Sequence, residues 1–291
     1  MPAVNFYEKI KGEPEKFRQI SCKDLLIAHY NCPQLDRRNE FYSQYNFITY
    51  TLSGNKIMHK SSNSWFLEKD VAIFFKKGAY RFEKFEDADH CVMNFFIPDA
   101  YLQRFVRENR EQLPFITAHA TPTESVVVLD LNATTKAFFQ SMLPYFSELP
   151  PESLIELKFK ELLFNLLANP KNSALLPVLN SIHHHQRPSL HEVMEENFHY
   201  NLGMDDLAKI ALRSLPTFKR EFKDTFHTTP GKWLLQRRLK HANLLLQTTP
   251  MSVTEIALES GFENNTHFSR VFKEEFGKSP FQFRKEKVEA L

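Results

Sequence analysis

The sequence predicts an α+β protein whose first part is built from β-strands and whose last part is entirely helical. Between residues 21 and 97, short runs rich in Phe, Tyr, Ile and Val alternate with turn signals such as Ser53-Gly54-Asn55 and Lys77-Gly78. From about residue 188 the apolar residues recur at helical spacing. A repeat offset by 50 residues lies inside this helical part and indicates a duplicated supersecondary unit.

Size and composition narrow the class of protein. At roughly 100–200 residues per domain, a chain of 291 residues is expected to form about two domains. Its 42% hydrophobic and 25% charged residues are typical of globular proteins. The 7 glycines form neither of the Gly-rich loops that cradle nucleotide phosphates, so an enzyme built on those loops is disfavoured. Because the net charge is only +2, any nucleic-acid surface must be a local patch.

Cysteine usage and the lack of apolar segments predict a cytoplasmic protein with no membrane contact. Cys22, Cys32 and Cys91 form no C-x-x-C pair, which argues against a disulfide scaffold and against a cysteine zinc site. The first residues lack the apolar stretch of a secretory signal. No uncharged apolar run approaches the roughly 20 residues of a membrane span.

The strand region is followed by helices and a linker. Strand-like runs recur about every ten residues, which indicates a small β-barrel or sandwich; they are Asp24–Tyr30, Tyr45–Leu52, Asp70–Phe75, Tyr80–Phe85 and His90–Ile97. Helical spacing then predicts helices over Pro98–Leu113, Asn132–Glu148 and Glu152–Ala168. The last two either cover the strands or form an antiparallel pair that joins a second copy of the chain in a homodimer.

These patterns divide the chain into three parts. Residues 1–168 are expected to form a sensing domain, residues 169–187 a linker with one short helix, and residues 188–291 a helical domain. Three consecutive histidines, His183 to His185, lie in the linker, but neighbours on a helix point about 100° apart and cannot share one ion. A solvated linker is the interpretation we adopt.

The repeat predicts two similar helices with an apolar and a basic face. Each copy reads Phe-x-Arg-x-Phe-Lys-x-x-Phe-x-x-Thr/Ser-Pro, beginning at Phe218 and at Phe268. The three phenylalanines of a copy are four residues apart, so they share one helix face and are expected to point inward. Arg220 and Arg270 are in register on a different face.

A shorter helix is expected before each of these helices. It spans Asp205–Leu212 in the first copy and Ser252–Ser260 in the second, and each contains a small residue, Ala208 or Ala257, that permits close crossing. Gly261 suits the left-handed conformation of a helix end. The expected N-caps of the second helices are Ser214 and Asn264.

Helix, tight turn and helix with a basic outer face is the helix-turn-helix design, whose second helix enters a DNA major groove. A plain helical bundle with solvated charges is the alternative. A connecting helix over Pro230–Gln247, about 27 Å long, could hold the two recognition helices about one DNA turn, ~34 Å, apart.

The second copy resembles the signature of the AraC/XylS family of bacterial transcription regulators. The residues that carry the resemblance are Ile256-Ala257, Gly261-Phe262, Phe268-Ser269-Arg270, Phe272-Lys273, Phe276-Gly277 and Ser279-Pro280. The resemblance covers about residues 188–287. It implies sequence-specific binding to promoter DNA through two helix-turn-helix units joined by a linker helix. It also implies activation of transcription through contact with RNA polymerase.

Carried over by position, the resemblance assigns two sets of DNA contacts. The base-reading residues are Pro216, Lys219 and Arg220 in the first unit and Asn265, Thr266 and Arg270 in the second. The phosphate-contacting candidates are Ser214, Thr217, Lys223, Ser269 and Lys273. Pro216 departs from the pattern in chemistry because it donates nothing to a base edge. The alternative for both arginines is an ion pair within the domain, with Glu221, Glu274 or Glu259.

The strand region resembles the cupin-like sensing β-barrel found in many members of the family. Tyr80 stands where a metal cupin has a ligand, no H-x-H pair is present, and His59 and His90 are single. We therefore expect no metal, no cofactor and no enzyme activity. A metal-dependent cupin enzyme with an accessory helical domain is the alternative. The domain is expected to sense a small molecule or a protein, with Tyr80, Arg81 and His29 as the first effector-binding candidates.

Overall fold

The computed structural model describes residues 3–31, 38–60, 63–84, 90–113, 124–183 and 187–289. The chain divides into two compact units: the first is Val4–Gln186, and the second is Arg187–Leu291 together with Ala3. His184 and His185 of the histidine run lie outside the described residues. None of the helices in the described ranges has the length and apolar composition needed to span a membrane.

The described strands of the first unit form two β-sheets. In chain order the strands are β1 (Val4–Asn5), β2 (Arg18–Cys22), β3 (Leu25–Asn31), β4 (Arg38–Ser43), β5 (Asn46–Ser53), β6 (Asn55–Lys60), β7 (Asn63–Glu68), β8 (Ala72–Phe75), β9 (Gly78–Lys84), β10 (Cys91–Ile97) and β11 (Val126–Leu129). One sheet has the order β1-β4-β9-β6-β7 and the other β11-β8-β5-β10-β3-β2. All neighbouring strands are antiparallel except β1 and β4.

The two sheets face each other across an aromatic core. Phe47 of β5 stacks on Phe75 of β8 with ring centroids 4.8 Å apart, and Tyr80 of β9 closes on Phe47 from the opposite sheet at 5.9 Å. Among the described residues no strand pairing joins the sheets into a closed ring. The predicted α+β fold is therefore confirmed, and of the barrel and sandwich alternatives the described strands form two facing sheets whose edges do not pair into a closed barrel.

Helices cover the outer face of the six-stranded sheet. The helices of this unit are α1 (Phe6–Gly12), α2 (Asp99–Glu108), α3 (Ala133–Ser141), α4 (Glu152–Leu167) and α5 (Leu175–His183), with 3-10 turns at Leu143–Phe146 and Pro170–Asn172. Phe139 of α3 stacks on Tyr50 of β5 at 4.1 Å, and Phe159 of α4 contacts Phe95 of β10 at 5.7 Å. The sheet is thus buried on both faces, which explains why β10 reads as a nearly continuous apolar run.

The predicted linker differs from the structure. Val178, Leu179 and Ile182 of α5 are buried in the core of the first unit. The side-chain amide of Gln103 in α2 donates to the carbonyl oxygen of Ile182 at 3.0 Å. Up to residue 183 the chain therefore belongs to the first unit, because the apolar face of α5 packs against it.

The described part of the second unit, residues 187–289, contains seven helices. They are α6 (Leu190–Asn197), α7 (Met204–Ile210), α8 (Leu215–Phe226), α9 (Pro230–Thr248), α10 (Val253–Glu259), α11 (Asn265–Phe276) and α12 (Pro280–Glu289). The two predicted N-caps are confirmed. Ser214 accepts a hydrogen bond from the Thr217 amide, and Asn264 accepts from the amides of Thr266 and His267. Both α8 and α11 end at a left-handed residue, as helices with this type of C-cap do.

Candidate nucleic-acid interface

The turn between the two helices has the same geometry in both repeats. The amide of Arg213 donates to the carbonyl oxygen of Ala208 at 2.9 Å, and the amide of Phe262 donates to that of Ala257 at 2.9 Å. Both alanines are fully buried, as the prediction of close helix crossing requires. Leu212 and Gly261 occupy the equivalent left-handed position, with φ of 55° and 84°. The helix-turn-helix prediction is confirmed for α7–α8 and for α10–α11.

The repeated phenylalanines form the same aromatic cluster in each copy. In the first copy, Phe222 lies 4.4 Å from Phe226 and 6.2 Å from Trp233, measured between ring centroids. In the second copy, Phe272 lies 4.5 Å from Phe276 and 5.8 Å from Phe283. Since this face of α8 and α11 is fixed inward, the opposite face of each helix points outward.

In α8 the predicted base-reading residues lie on that outward face. Pro216, Lys219 and Arg220 are all exposed, and Pro216 lies in the first turn, where a missing amide hydrogen is tolerated. Arg220 makes no ion pair with any of the described residues. Its neighbour Glu221 instead accepts from Arg213 Nε at 2.6 Å, and this bond lowers the pKa of Glu221 below its ordinary value.

Arg213 was not predicted to have a structural role. Its Nε donates to Glu221 in α8, as described above. Its Nη1 donates to the carbonyl oxygens of Ala211 at 2.6 Å and Pro188 at 3.0 Å. The side chain therefore fixes the turn against α8. The only sequence signal for this contact is a basic residue inside the turn, with an acidic residue eight positions later.

In α11 the outward residues already have weak partners. Arg270 Nη1 donates to Glu274 at 2.9 Å, and the two side chains are 63% and 60% exposed. The alternative of an ion pair within the domain therefore holds for Arg270. The side-chain amide of Asn265 donates to Thr254 at 3.0 Å, and Thr266 is exposed. Exposed pairs of this kind contribute little to stability, so a nucleic acid could replace them.

The phosphate-contacting candidates surround these two faces. Lys223 and Lys273 are exposed near the last turn of α8 and of α11, and Ser269 is half-buried. The hydroxyl of Ser214 donates to that of Thr217 at 2.9 Å at the N-terminus of α8. A helix N-terminus with capping hydroxyls can receive a phosphate, because its free amides and dipole favour negative charge.

The first unit contains a cavity between its two sheets. Its volume is about 90 Å³, room for a few water molecules or a small ligand group. Aromatic and aliphatic side chains form most of its wall, together with the buried polar residues Thr49, His90 and Asn94. Asn94 accepts from the Thr49 hydroxyl at 2.6 Å and donates to the Tyr30 hydroxyl at 2.8 Å, so its amide is held in place.

The three effector candidates do not lie together. Tyr80 is fully buried in the core, where its hydroxyl donates to the carbonyl oxygen of Lys76. Arg81 donates to Glu40 at 2.8 Å. His29 lies on the helix-covered face of the other sheet, 3.3 Å from the Cys91 sulfur, and burial lowers its pKa. The assignment of these residues to an effector site stays a prediction.

Potential metal ligands are scattered in the described part of the chain. No group of three or more His, Cys, Asp or Glu side chains is placed there to hold a metal ion. His59 bonds Ser64 at 2.8 Å and His90 bonds Thr51 at 3.4 Å, so each is engaged with a hydroxyl.

Two family matches cover the two units of the chain. Residues 46–178 match the ExsA N-terminal regulatory domain. Residues 207–286 match a helix-turn-helix domain. The second match includes α8, α9, α10 and α11. It therefore contains all the residues predicted to contact DNA.

Most of the chain is similar to named bacterial regulators. It is 22% identical over 272 residues to the HTH-type transcriptional regulator ExsA of Pseudomonas aeruginosa, covering 94% of this chain and 96% of ExsA. It is 23% identical over 239 residues to the virulence regulon transcriptional activator VirF of Yersinia enterocolitica, covering 81% and 88%. Over 95 residues, 32% of this chain and 28% of the relative, it is 40% identical to the transcriptional activator NphR of Rhodococcus.

Solved structures with detectable similarity include apo ToxT of Vibrio cholerae, at 14% identity and a TM-score of 0.43, covering 91% of this chain and 98% of ToxT. The DNA-binding domain of AdpA is similar at 32% identity and a TM-score of 0.32, covering 33% and 90%.

A regulatory domain followed by two helix-turn-helix units defines a DNA-binding transcription regulator. The signature of the second unit and the matched domains further specify its kind. The second unit contains a helix-turn-helix domain of the AraC type, and the first unit matches the ExsA N-terminal regulatory domain.

Proposed function

We propose that this protein activates transcription by reading promoter DNA with α8 and α11, and that its first unit regulates this activity. The observation that carries the proposal is the duplicated exposed arginine. Arg220 and Arg270 occupy the same position of the two helices, each opposite a buried phenylalanine face. A helix of this kind, set by a helix-turn-helix turn, fits the major groove. The relatives named as transcriptional activators support activation rather than repression.

The residue types suggest which bases are read. Lys219 and Arg220 of α8 would donate to guanine O6 and N7, while Pro216 adds only apolar contact. In α11, Asn265 would pair with adenine, Thr266 would meet a thymine methyl, and Arg270 would exchange Glu274 for guanine. Phosphates would be bound by Ser214, Thr217, Lys223, Ser269 and Lys273, which position the helices without reading sequence.

The linker helix supports reading of two neighbouring grooves. α9 has 19 residues and is therefore about 28 Å long. A rod of this length is comparable with the ~34 Å of one DNA turn. In the proposal α8 and α11 enter successive major-groove segments on one side of the duplex.

Regulation is assigned to the first unit. The cavity between the sheets is the proposed site of a small-molecule effector, since it combines an apolar wall with the positioned amide of Asn94. A protein effector is the second candidate. A compound that raises the melting temperature of the wild type, but not of a Met58→Trp variant that fills the cavity, would support the first. Stabilisation of both alike would place the compound elsewhere.

Further partners follow from the class of protein. We propose that the bound regulator contacts RNA polymerase, acts in the cytoplasm and catalyses no reaction.

A homodimer through residues 132–168 is supported by two exposed leucines, Leu157 in α4 and Leu149 just before it. Sedimentation of the purified chain tests the dimer, and a Leu157→Lys variant should be monomeric if α4 forms the contact.

The proposed function is tested by selecting duplexes from random DNA with the purified protein and measuring affinity by gel shift. Arg220→Ala and Arg270→Ala should each weaken binding to the selected duplex by about 1–3 kcal/mol and relax the base preference at one position. Arg107→Ala removes the same charge from an exposed site in the first unit and is the matched control. Equal affinities for all three variants and the wild type would show that the base-reading assignment is wrong.

A further inference from the structure

We infer that Arg238, in the linker helix α9, fixes the second helix-turn-helix unit against the segment that precedes the first, and thereby sets the half-site spacing that the protein accepts. The inference rests on the proposed DNA-binding function. Arg238 is a positioning residue, since it acts through the placement of α8 and α11 and reads no base itself.

Arg238 binds the connection between α6 and α7, which leads into the first helix-turn-helix unit. Its Nε donates to the carbonyl oxygen of Phe198 at 2.7 Å, and Nη2 donates to that of Tyr200 at 2.8 Å. Both carbonyls belong to the connection between α6 and α7. Two bonds from one planar guanidinium fix its orientation as well as its position.

The same guanidinium packs against the turn of the second unit. A Cβ atom added to Gly261 would lie 2.9 Å from Arg238 Nε and 3.1 Å from its Cζ. It would also lie 2.9 Å from the carbonyl oxygen of His199, in the α6–α7 connection. The backbone of the α10–α11 turn is therefore in direct contact with both the arginine and the segment that it holds.

Comparison of the two repeats shows that this contact is specific to the second. Leu212 occupies the equivalent left-handed position of the first turn, and this residue is 39% exposed. The turn geometry alone thus tolerates a large side chain. Glycine is needed at position 261 because α9 and the α6–α7 connection approach it closely.

A second bond crosses the same junction. The side-chain amide of Asn201, in the α6–α7 connection, donates to the carboxylate of Glu263 in the α10–α11 turn. Arg237, the neighbour of Arg238, instead contacts α6 and the Phe198 ring, which precede the first helix-turn-helix unit. Its Nε donates to both Glu195 oxygens at 3.0 and 2.8 Å, and its guanidinium lies 4.3 Å from the centre of the Phe198 ring.

These contacts restrict a relative motion of the two helix-turn-helix units that the linker helix alone would permit. α9 joins the end of α8 to the start of α10, so both units could rock about its ends. The Arg238 junction adds a second connection, from the segment before α7 to the turn before α11. With both connections in place, the separation and relative rotation of the two recognition helices have one value.

The test compares affinities for duplexes that differ only in half-site spacing. The probe is the duplex selected from random DNA by the wild-type full chain, with versions that carry one extra base pair between the half-sites. That insertion shifts one half-site by about 3.4 Å and rotates it by about 34°. The wild type should lose at least about tenfold in affinity, whereas Arg238→Met should lose less than about threefold. Both proteins should bind a duplex with only the first half-site equally well.

Arg237→Met is the matched control, because it removes a neighbouring α9 arginine that binds Glu195 of α6 and the Phe198 ring and not the α10–α11 turn; it should keep the spacing preference of the wild type. Circular dichroism checks folding, and if Arg238→Met is unfolded, Asn201→Ala serves as the second variant and should also relax the preference. A folded Arg238→Met or Asn201→Ala protein with the wild-type spacing ratio overturns the inference, as does a wild type indifferent to spacing. A wild type that selects no sequence refutes the proposed function itself.

Discussion

Replacement of Gly261 by alanine probes the packing of the two repeats most sharply. Gly261 lies in the α10–α11 turn with φ of 84°, and its missing side chain leaves room for the Arg238 guanidinium and the His199 carbonyl oxygen. Gly277, at the end of α11, offers a matched control. It has a similar φ of 76°, but a Cβ there would meet no atom within 4 Å.

The two substitutions should differ by the cost of the contact. In both, alanine in a left-handed conformation costs about 1–2 kcal/mol, partly offset by about 0.4–1 kcal/mol through the lower entropy of the unfolded chain. Gly277→Ala should therefore destabilise by about 1.6 kcal/mol or less. At Gly261 the new methyl group also lies 2.9 Å from a backbone oxygen that cannot move freely. Overpacking of this kind adds about 1–3 kcal/mol, so the total is about 1–4.6 kcal/mol and exceeds the cost at Gly277 by about 1–3 kcal/mol.

The assay is urea unfolding followed by tryptophan fluorescence. Trp65 and Trp233 are the only tryptophans of the chain, so a Trp65→Phe background leaves Trp233, which packs against Phe222, as the reporter of the second unit. Gly261→Ala should lower the midpoint by about 1 M or more and Gly277→Ala by clearly less. Equal shifts for the two variants would refute the argument that close approach, and not φ alone, requires glycine at position 261.

Three further predictions address the helical unit. Phe272→Ala removes a fully buried ring and should destabilise this unit by about 3–5 kcal/mol in the same assay; a loss below about 1 kcal/mol would contradict its place in the core. Glu274→Ala releases Arg270 from an exposed pair and should raise affinity for the selected duplex about twofold in a gel shift; lower affinity would contradict this. Burial and the charge of Arg237 lower the pKa of His241 below 6.5, so protonation favours the unfolded chain and stability should fall as the pH drops through 6.5. His241→Gln should reduce this pH dependence of the urea midpoint, and an unchanged dependence would exclude His241 as its source.

Local sequence patterns were sufficient to predict the helix-turn-helix units. The spacing of phenylalanines, the buried Ala208 and Ala257, and the N-caps Ser214 and Asn264 depend on residues within one or two turns of each other. The sequence also predicted a left-handed Gly261. It did not predict contact with Arg238, since the two residues meet only when α9 packs on the α6–α7 connection.

Other differences have identifiable physical causes. A continuous helix was predicted over Asn132–Glu148, but α3 ends at Ser141 and a 3-10 turn follows, because Pro144 cannot donate a helical hydrogen bond. Strand β11 was not predicted; its run of three valines was the available signal. The cavity could not be predicted, because its wall combines residues from eight strands and α1 that are distant in sequence.

Methylation interference on the selected duplex tests the central claim most directly, because N7 of guanine lies in the major groove where arginine binds. Two groups of sensitive guanines should appear about ten base pairs apart, with Arg220→Ala abolishing one group and Arg270→Ala the other. A single group, or two groups that neither substitution affects, would contradict reading of adjacent major-groove segments by α8 and α11.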